Sequence, residues 1–391
     1  MRIGVDACCW ASDRGYGRYT RELVRAMVRL APDDEWLCFV DDAAASVWDI
    51  TAPNVLVRRV TLRADVTRAA ASDSARSPRD MLRLTRAVWR ERLAVFFSPA
   101  VYSFFPVPPG LRTVVTVHDT IAERYPELTL PTWRARLFWR AKVGIALAQA
   151  RLVLTVSHQS ARDIAADLGV APERIRVAPN APAAAFRPSD SAEEIARVAA
   201  RVGLPAGARW FIYVGGCNPH KRLDVAVRAH AALVAERGSA APWLALVGPD
   251  NDVFHSNREG LRRLVDSVGS GHRVVWAGFL EDQVLRHLYS GAVGLVLPSQ
   301  LEGTGLPALE AASCGTPVVA TTASPLPELL AGGGFFVAPG DEEALRRALA
   351  RLLDDEGARR EMGAAALAGA RRLDWAYSGA RALAALREAA A

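Results

Sequence analysis

Short apolar segments of strand length alternate with amphipathic segments of helix length along nearly the whole chain. A strand of a parallel sheet is buried on both faces and is followed by a crossover helix, so this alternation predicts an α/β protein with helices on both faces of parallel sheets. In the first half we predict strands near Arg2–Ala7, Trp36–Val40, Val55–Val60, Leu93–Phe97, Thr113–Val117, Leu152–Val156 and Arg174–Val177. In the second half we predict them near Trp210–Gly215, Trp243–Val247, Arg273–Trp276, Gly294–Leu297, Pro317–Ala320 and Phe335–Val337.

The length of the chain, 391 residues, is large for one hydrophobic core and predicts two domains. A Pro- and Ala-rich stretch separates the two sets of strands and carries one predicted helix, Ala192–Val202. We therefore expect a first domain over 1–180, an interdomain connection over 181–206, a second domain over 207–374 and a C-terminal helix over 375–391. Two doubly wound domains of similar size usually place their site in the cleft between them.

The composition, 51% hydrophobic and 23% charged, is that of a globular protein. No apolar run approaches the roughly 18 residues that span a bilayer, and the N-terminus begins with a predicted strand instead of a signal peptide. The five cysteines are odd in number and lack metal-ligand spacing, which indicates reduced thiols. These features favour a cytoplasmic protein.

Basic residues are concentrated in the first half of the chain. Residues 1–180 hold 26 Arg and Lys against 19 Asp and Glu, a net charge of +7, whereas the remainder holds 22 against 23, a net charge of −1. Two segments combine basic and aromatic residues: the first contains Arg79, Arg83, Arg86 and Arg90 beside Met81, Leu82, Val88 and Trp89, and the second contains Trp133, Arg134, Arg136, Phe138, Trp139, Arg140 and Lys142. An anionic membrane surface is one expected partner, and solvated arginine faces are the alternative. No nucleic-acid-binding module is recognisable.

The segment Pro298–Glu310 follows a predicted buried strand and leads into a helical pattern. A strand, a glycine-containing turn and a helix N-terminus form an anion site, because free backbone N–H groups and the helix dipole point outward. Glu302 lies in the turn and Glu310 in the helix. Carboxylates beside a phosphate site are suited to accept hydrogen bonds from sugar or ribose hydroxyls, which indicates a nucleotide-sugar pocket.

This segment closely resembles the signature of the family 4 retaining glycosyltransferases, because glycine, proline and both acids fall in register. Thr304 departs from the pattern, since the family usually has an aromatic residue there. The segments Gly15–Leu23 and Val156–Asn180 resemble the family's N-terminal glycine loop and interdomain run. The resemblance implies a GT-B fold, in which two Rossmann-like doubly wound domains face a central cleft.

The resemblance also implies roles for individual residues. Glu310 would bind the ribose and Glu302 the sugar hydroxyls of a nucleoside-diphosphate sugar. The backbone of Gly303, Thr304, Gly305 and Leu306 would bind the diphosphate, and Lys221 would neutralise the departing charge. Gly216 stands where many relatives have an arginine, so Lys221 works without that partner, or Arg222 or His220 substitutes for it.

Two further features lie in the first half of the chain. His118 follows a strong predicted strand, and in the family a histidine there contacts the donor sugar; without the resemblance, it could equally cap its own turn. Gly15, Tyr16 and Gly17 form a loop that would lie near the acceptor or the donor phosphates. A glycine turn that binds no ligand, or the finger of a nicotinamide enzyme, are the alternatives for this loop.

The implied reaction is a retaining transfer of a hexose, mannose-like or deoxyhexose favoured, to the hydroxyl of a lipid-linked or polysaccharide acceptor. The enzyme is expected to work in the cytoplasm, either free or on the inner face of the membrane. We expect no metal, because Lys221 and a helix terminus already face the phosphates, and we interpret Asp250-Asn251-Asp252 as a turn. A nucleotide-sugar epimerase of the same fold and an inactive membrane-associated scaffold remain alternatives.

Overall fold

The computed structural model describes residues 1–63, 77–249 and 256–391. The chain forms two compact units. The first consists of Met1–Asn180 together with Asp374–Ala391, and the second of Ala181–Leu373. Each unit is built on its own parallel sheet.

Seven strands form the sheet of the first unit. They are β1 (Arg2–Asp6), β2 (Glu35–Val40), β3 (Val55–Arg59), β4 (Val95–Ser98), β5 (Thr113–Thr116), β6 (Ala150–Thr155) and β7 (Ile175–Val177). All pairs are parallel, in the order β3-β2-β1-β4-β5-β6-β7. The order reverses between β1 and β4, and such a switch point is where open α/β sheets place ligands, beyond the carboxyl ends of the strands.

The helices of the first unit cover both faces of this sheet. Those described are α1 (Gly15–Leu30), α2 (Asp42–Ser46), α3 (Pro78–Trp89), α4 (Ile121–Arg124), α5 (Pro126–Thr129), α6 (Trp133–Gln149), α7 (His158–Leu168) and the C-terminal α16 (Trp375–Ala390). Helix α16 packs on α1 and on the strands β4 to β7. The Ser378 hydroxyl at its first turn donates to the carbonyl of Pro179. The last helix of the chain is therefore an integral part of the first unit.

Local sequence signals account for where these helices begin and end. The Thr132 and Ser157 hydroxyls accept hydrogen bonds from N–H groups in the first turns of α6 and α7. Gly169, at φ +64°, ends α7 in the left-handed conformation that glycine adopts without steric cost.

Six strands form the sheet of the second unit. They are β8 (Trp210–Val214), β9 (Trp243–Val247), β10 (Val274–Gly278), β11 (Gly294–Leu297), β12 (Val318–Thr321) and β13 (Gly334–Val337). All pairs are parallel, in the order β10-β9-β8-β11-β12-β13. The switch point lies between β8 and β11, so the turns after these two strands lie side by side.

The helices of the second unit enclose one large hydrophobic core. Those described are α8 (Ala192–Arg201), α9 (Leu223–Arg237), α10 (Arg258–Ser267), α11 (Asp282–Gly291), α12 (Leu306–Ser313), α13 (Leu326–Leu329), α14 (Glu342–Asp354) and α15 (Glu356–Ala370). Phe186 and Val198, from the stretch expected to connect the domains, are buried in this core. That stretch therefore packs as part of the second unit.

The α/β architecture with two parallel sheets, predicted from the sequence, is confirmed. Each of the predicted strands is present within two residues of its expected ends. Among the helices that the structure describes, none is both long and apolar enough to cross a membrane.

Candidate active site

The turn after β8 carries the lysine singled out in the sequence. Lys221 ends a short 3-10 turn, Pro219–Lys221, and α9 begins two residues later at Leu223. Gly215 and Gly216 open the turn, and the Tyr213 hydroxyl donates to the Gly216 carbonyl at 2.7 Å. A Cβ on Gly215 would lie 2.8 Å from that hydroxyl oxygen, so glycine is required here. The turn is therefore held by the hydroxyl of Tyr213, which lies near the end of β8.

Lys221 and Glu302, 81 residues apart, meet at the switch point of the second sheet. Lys221 Nζ lies 2.7 Å from Glu302 Oε1, and the Ser299 hydroxyl donates to the same oxygen at 2.6 Å. The side chain of Glu302 is 8% exposed and that of Lys221 is 22% exposed. No described residue donates to Glu302 Oε2. The carboxylate is therefore held through one oxygen, which leaves the other to accept a hydrogen bond from a ligand.

The glycine turn after β11 leads directly into α12. Gly305 precedes the helix at φ +79°, and a Cβ there would lie 2.8 Å from Leu326 Cδ1, so glycine is required by both conformation and space. Gly305, at the N-cap position, has no side chain to cap this helix, whose first turn also contains Pro307. Thr304 and Leu306 are buried beside the turn. An uncapped N-terminus adjoining Lys221 and Glu302 can bind an anion.

Glu310, the second acid of the sequence signature, is buried within α12. Its Oε2 lies 3.5 Å from the Tyr289 hydroxyl of α11. Tyr289 in turn accepts a hydrogen bond from the Thr316 hydroxyl at its backbone carbonyl, at 2.7 Å. The position of Glu310 is therefore set by contacts with the neighbouring helix.

Gln300 is a site-adjacent residue that the sequence did not indicate, and it contacts Arg222, which the sequence suggested only as a substitute for the arginine missing at Gly216. Arg222 is the one non-glycine residue with positive φ, 51°, in the described part of the chain. Its guanidinium donates to Gln300 Oε1 at 2.9 Å and to Asp224 at 3.2 Å, while the Gln300 N–H donates to the His220 carbonyl. These bonds tie the turn of Lys221 to the turn of Glu302. An unusual backbone conformation of this kind often accompanies a functional site, but no sequence pattern signals it.

His118 follows β5 in the first unit, at the carboxyl end of the sheet. Its Nε2 lies 3.1 Å from the Pro99 carbonyl, so Nε2 carries the proton and Nδ1 is an acceptor. Burial lowers the pKa of His118 to about 4, which leaves the imidazole neutral near pH 7. Tyr19 of α1 packs edge-on against the ring, 4.8 Å between centroids, and Asp119 accepts from the N–H of Ile121. The aspartate thus stabilises the following turn, and the histidine offers an acceptor nitrogen.

The residues expected to form a glycine loop, Gly15 to Gly17, instead make up the first turn of α1. The two glycines in this turn have different structural roles. Gly15 is exposed at the start of α1, and a Cβ there would meet nothing within 4 Å. A Cβ on Gly17 would lie 2.1 Å from the Ser12 carbonyl oxygen, so Gly17 is required by packing alone. Tyr16 lies between them, buried, with its ring 5.2 Å from that of Tyr102.

A cluster of aromatic and charged side chains extends from Tyr16. Tyr102 packs against Trp139 of α6 at 5.4 Å, and Lys142 Nζ lies 5.6 Å from the Trp139 ring centroid. Trp139 Nε1 donates to Glu123 at 2.6 Å. Burial, and then the neighbouring negative charges of Asp119 and Asp167, raise the pKa of Glu123 to about 7. The sequence groups Trp139 with a basic-aromatic segment expected at the surface, whereas the structure buries it and makes it a donor to this carboxyl.

The segment Asp250-Asn251-Asp252 lies outside the described residues. Elsewhere in the described part of the chain, no group of three or more His, Cys, Asp or Glu side chains is placed to hold a metal ion. Independence from metal stays a prediction.

Comparison with solved structures gives the class to which this fold belongs. The structure matches sucrose-phosphate synthase from Thermosynechococcus elongatus with a TM-score of 0.76 at 20% identity. The match covers 99% of this chain and 98% of the other. It matches Anabaena Alr3699/HepE in complex with UDP-glucose with a TM-score of 0.73 at 18% identity, over 99% of both chains. The fold is that of the GT-B glycosyltransferases.

Sequence comparison identifies the family. The family model described as Glycosyl transferases group 1 matches residues 195–368, and the model described as Glycosyltransferase Family 4 matches residues 14–181. The O-antigen chain mannosyltransferase B of Escherichia coli is 30% identical over 266 residues, 68% of this chain and 67% of that protein. The chain belongs to the family 4 glycosyltransferases.

A second relative is the D-inositol 3-phosphate glycosyltransferase of Acidothermus cellulolyticus, 35% identical over 234 residues. This alignment covers 59% of this chain and about half, 51%, of the relative.

Proposed function

We propose that this protein transfers a hexose from a nucleoside-diphosphate sugar to an acceptor hydroxyl, with retention of anomeric configuration. The observation that carries the proposal is the contact of Lys221 and Ser299 with one oxygen of Glu302, beside the uncapped N-terminus of α12. A cation and a helix N-terminus suit a diphosphate, and a buried carboxylate oxygen that no described residue donates to suits a sugar hydroxyl.

Each residue of the second unit has a distinct task in this proposal. Lys221 shares its ammonium group between Glu302 and a donor phosphate oxygen and stabilises the negative charge that develops on the departing diphosphate. Glu302 Oε2 accepts a hydrogen bond from a hydroxyl of the transferred sugar, and Glu310 binds the ribose. The backbone from Gly303 to Leu306 contacts the diphosphate.

The first unit supplies neutral groups. The Nδ1 atom of His118 accepts a hydrogen bond from a hydroxyl, and its low pKa makes it a weak base, which favours a positioning role over proton abstraction. The departing phosphate oxygen then takes the proton of the acceptor hydroxyl, while the acceptor oxygen bonds to the anomeric carbon on the face that the diphosphate leaves. The loop of Gly15, Tyr16 and Gly17 lies on the acceptor side.

The names of relatives guide the choice of substrates. The O-antigen chain mannosyltransferase B and the MMP alpha-(1->4)-mannosyltransferase of Mycolicibacterium hassiacum, 30% identical over 265 residues, are mannosyltransferases by name. We therefore favour a mannose-like or deoxyhexose donor and a lipid-linked or polysaccharide acceptor. The proposed reaction needs no metal.

Nucleotide-dependent thermal stability tests the donor site. Melting temperatures are compared with GDP, UDP, dTDP and ADP, each with and without EDTA. A ligand present at 100 times its Kd adds about 2.7 kcal/mol to the free energy of unfolding. One diphosphate that raises the melting temperature equally with EDTA supports the proposal and names the base. If none of them stabilises the protein, the donor site is refuted and an inactive scaffold becomes the better hypothesis.

A further inference from the structure

Helix α6 presents an apolar face to solvent in addition to the one that it buries. Its buried face, which packs on the first sheet, consists of Ala135, Trp139, Val143 and Ala146. Its exposed large hydrophobic side chains are Trp133 (69% exposed), Leu137 (58%), Phe138 (58%) and Ile145 (45%). At 3.6 residues per turn these four lie within an arc of about 140° opposite the buried one. A helix that is apolar on both sides has an outer face that water does not favour.

The charges on α6 all have the same sign. The helix contains Arg134, Arg136, Arg140 and Lys142 and no acidic residue. Arg134 lies over the ring of Trp133, 5.5 Å from its centroid. In the described part of the chain neither Arg134 nor Arg140 forms an ion pair. The exposed apolar arc is therefore accompanied by uncompensated positive charge.

Helix α3 continues this surface on the same face of the first sheet. The register that pairs Ser98 with Val115 places Phe96, under α3, and Val115, under α6, on one face. The segment between β4 and β5 contacts both helices: the Pro106 carbonyl accepts from the Thr85 hydroxyl of α3 at 2.5 Å, and the carbonyl of the next residue accepts from Gln149 of α6 at 2.9 Å. Both helices therefore pack on one face of the sheet and contact the same connecting segment.

The outer side of α3 supplies more basic and apolar groups. Leu82 and Trp89 are exposed, the latter by 71%. A surface groove of about 650 Å³ runs between α3 and the end of β3 and is lined by five arginines, Arg58, Arg59, Arg83, Arg86 and Arg90, with Glu91. Of the large hydrophobic side chains exposed in the described residues, half belong to α3 and α6. We call the outer faces of these two helices the basic-apolar surface.

We propose that the basic-apolar surface docks the protein on a bilayer that contains anionic phospholipids, with α6 lying in the plane of the interface. Trp133, Leu137, Phe138 and Ile145 would enter the boundary between headgroups and acyl chains, where tryptophan and other bulky apolar side chains are favoured. The arginines would contact lipid phosphates, and their long stems allow the charge to remain at the level of the headgroups.

Charge argues for a bilayer over a second copy of the chain. A symmetric dimer through this surface would bring the same arginines of both copies together, and like charges at an interface are costly. An anionic bilayer supplies both an apolar phase and negative charge over a wide area. The proposal does not rest on the donor site, because binding to vesicles requires no substrate.

Flotation of the whole protein with lipid vesicles tests the proposal. We expect binding to vesicles of phosphatidylcholine mixed with phosphatidylglycerol, weaker binding at high salt, and little binding to phosphatidylcholine alone. The double substitution Leu137→Ser/Phe138→Ser should lower the partition coefficient about ten-fold or more, because it removes two inserting side chains. Phe279→Ser, at an exposed apolar residue of the second unit (57% exposed), is the matched control and should bind as the wild type does.

A second variant tests the electrostatic component independently. Arg86→Gln/Arg90→Gln should reduce binding about ten-fold and flatten its salt dependence, without loss of apolar surface. All of these positions are exposed, so melting temperatures should equal that of the wild type.

Three results would overturn the proposal. The first is wild-type protein that does not bind anionic vesicles. The second is a folded Leu137→Ser/Phe138→Ser variant that binds them as strongly as the wild type does. The third is a wild type that dimerises with increasing concentration in sedimentation analysis but does not bind vesicles, together with a Leu137→Ser/Phe138→Ser variant that does not dimerise. That result would assign the surface to a second copy.

Discussion

The candidate site residues of the two units differ in how the protein treats their charge. In the second unit, Lys221 and Glu302 form an ion pair at 2.7 Å that Ser299 extends. In the first unit, burial shifts the pKa of His118 down to about 4 and that of Glu123 up to about 7, and each shift favours the neutral form. The second unit thus keeps an ion pair at the end of its sheet, whereas in the first unit burial favours the uncharged forms of His118 and Glu123.

We infer that this difference suits two kinds of ligand. An ion pair beside a helix N-terminus can rearrange to admit a diphosphate, because the lysine has donors to spare and the glutamate keeps one free oxygen. Neutral imidazole and carboxyl groups are suited to hydroxyls, which carry no charge to compensate. On our proposal the second unit binds the donor, and the first unit contributes to the hydroxyl chemistry of the acceptor side.

The substitution Lys221→Ala should give the largest effect, because it removes the cation of the ion pair in the second unit. We expect kcat to fall about 100-fold or more, because an electrostatic contact to the leaving group is lost. Stabilisation by the cognate nucleoside diphosphate should weaken as well. Glu302 would be left buried without its cation, so the free energy of unfolding should also fall by about 1–3 kcal/mol.

Two further variants separate catalysis from stability. Adding Glu302→Gln to Lys221→Ala should restore much of the lost stability without restoring turnover. Arg237→Ala, which removes an exposed ion pair with Asp354 in the same unit, should change stability by less than about 1 kcal/mol and leave turnover intact. Near-normal turnover in a folded Lys221→Ala variant would refute the proposed role.

Two glycines that the sequence placed in one loop should respond differently to the same substitution. Gly17→Ala should lower the free energy of unfolding by about 2–4 kcal/mol, because the new Cβ would lie 2.1 Å from the Ser12 carbonyl oxygen. Gly15→Ala should change it by less than about 0.5 kcal/mol, since nothing lies within 4 Å. Denaturant titration of both variants measures this.

The pair of variants also tests whether the loop approaches a ligand. If Gly15→Ala is stable but loses activity, the ligand comes close to the backbone there. If it keeps both stability and activity, the loop is a structural turn. Equal destabilisation by the two substitutions would contradict the packing described for Gly17.

The strands could be predicted from the sequence because a buried parallel strand is a continuous apolar run bounded by turn residues. The contact of Lys221 with Glu302 could not, since it depends on β8 and β11 being neighbours in space. That adjacency follows from the order of strands in the sheet, which no local pattern encodes. The doubly wound topology that the resemblance implied brings the two turns to one edge of the sheet, but it does not specify the contact between the two side chains.

The surroundings of Trp139 show a second limit. Helix α6 is apolar on both sides, so periodicity alone does not tell which face packs on the sheet. The sequence therefore grouped Trp139 with Phe138 on one basic-aromatic segment, although the structure buries the first and exposes the second. The raised pKa of Glu123 follows from burial in the folded protein, so the sequence could not predict it either.

A smaller effect than those of Lys221→Ala and Gly17→Ala is expected in the pH dependence of Glu123→Gln, which tests whether burial keeps Glu123 neutral. The folded pKa of Glu123, about 7, lies above its ordinary value of 4.5, so its protonated form stabilises the fold. That stabilisation is complete below pH 4.5 and is lost as the pH rises through 7. Glutamine keeps an oxygen to accept from Trp139 and carries no charge at any pH. The stability of the variant relative to the wild type should therefore rise between pH 5 and pH 8, by about 1 kcal/mol after allowance for partial exposure.

His118 is present in both proteins, so its own loss of stability as the pH falls from 6.5 through 4 cancels in the difference. Melting curves of both proteins across this range measure the effect. A constant difference would mean that Glu123 is ionised throughout and that the first unit, like the second, retains its charge.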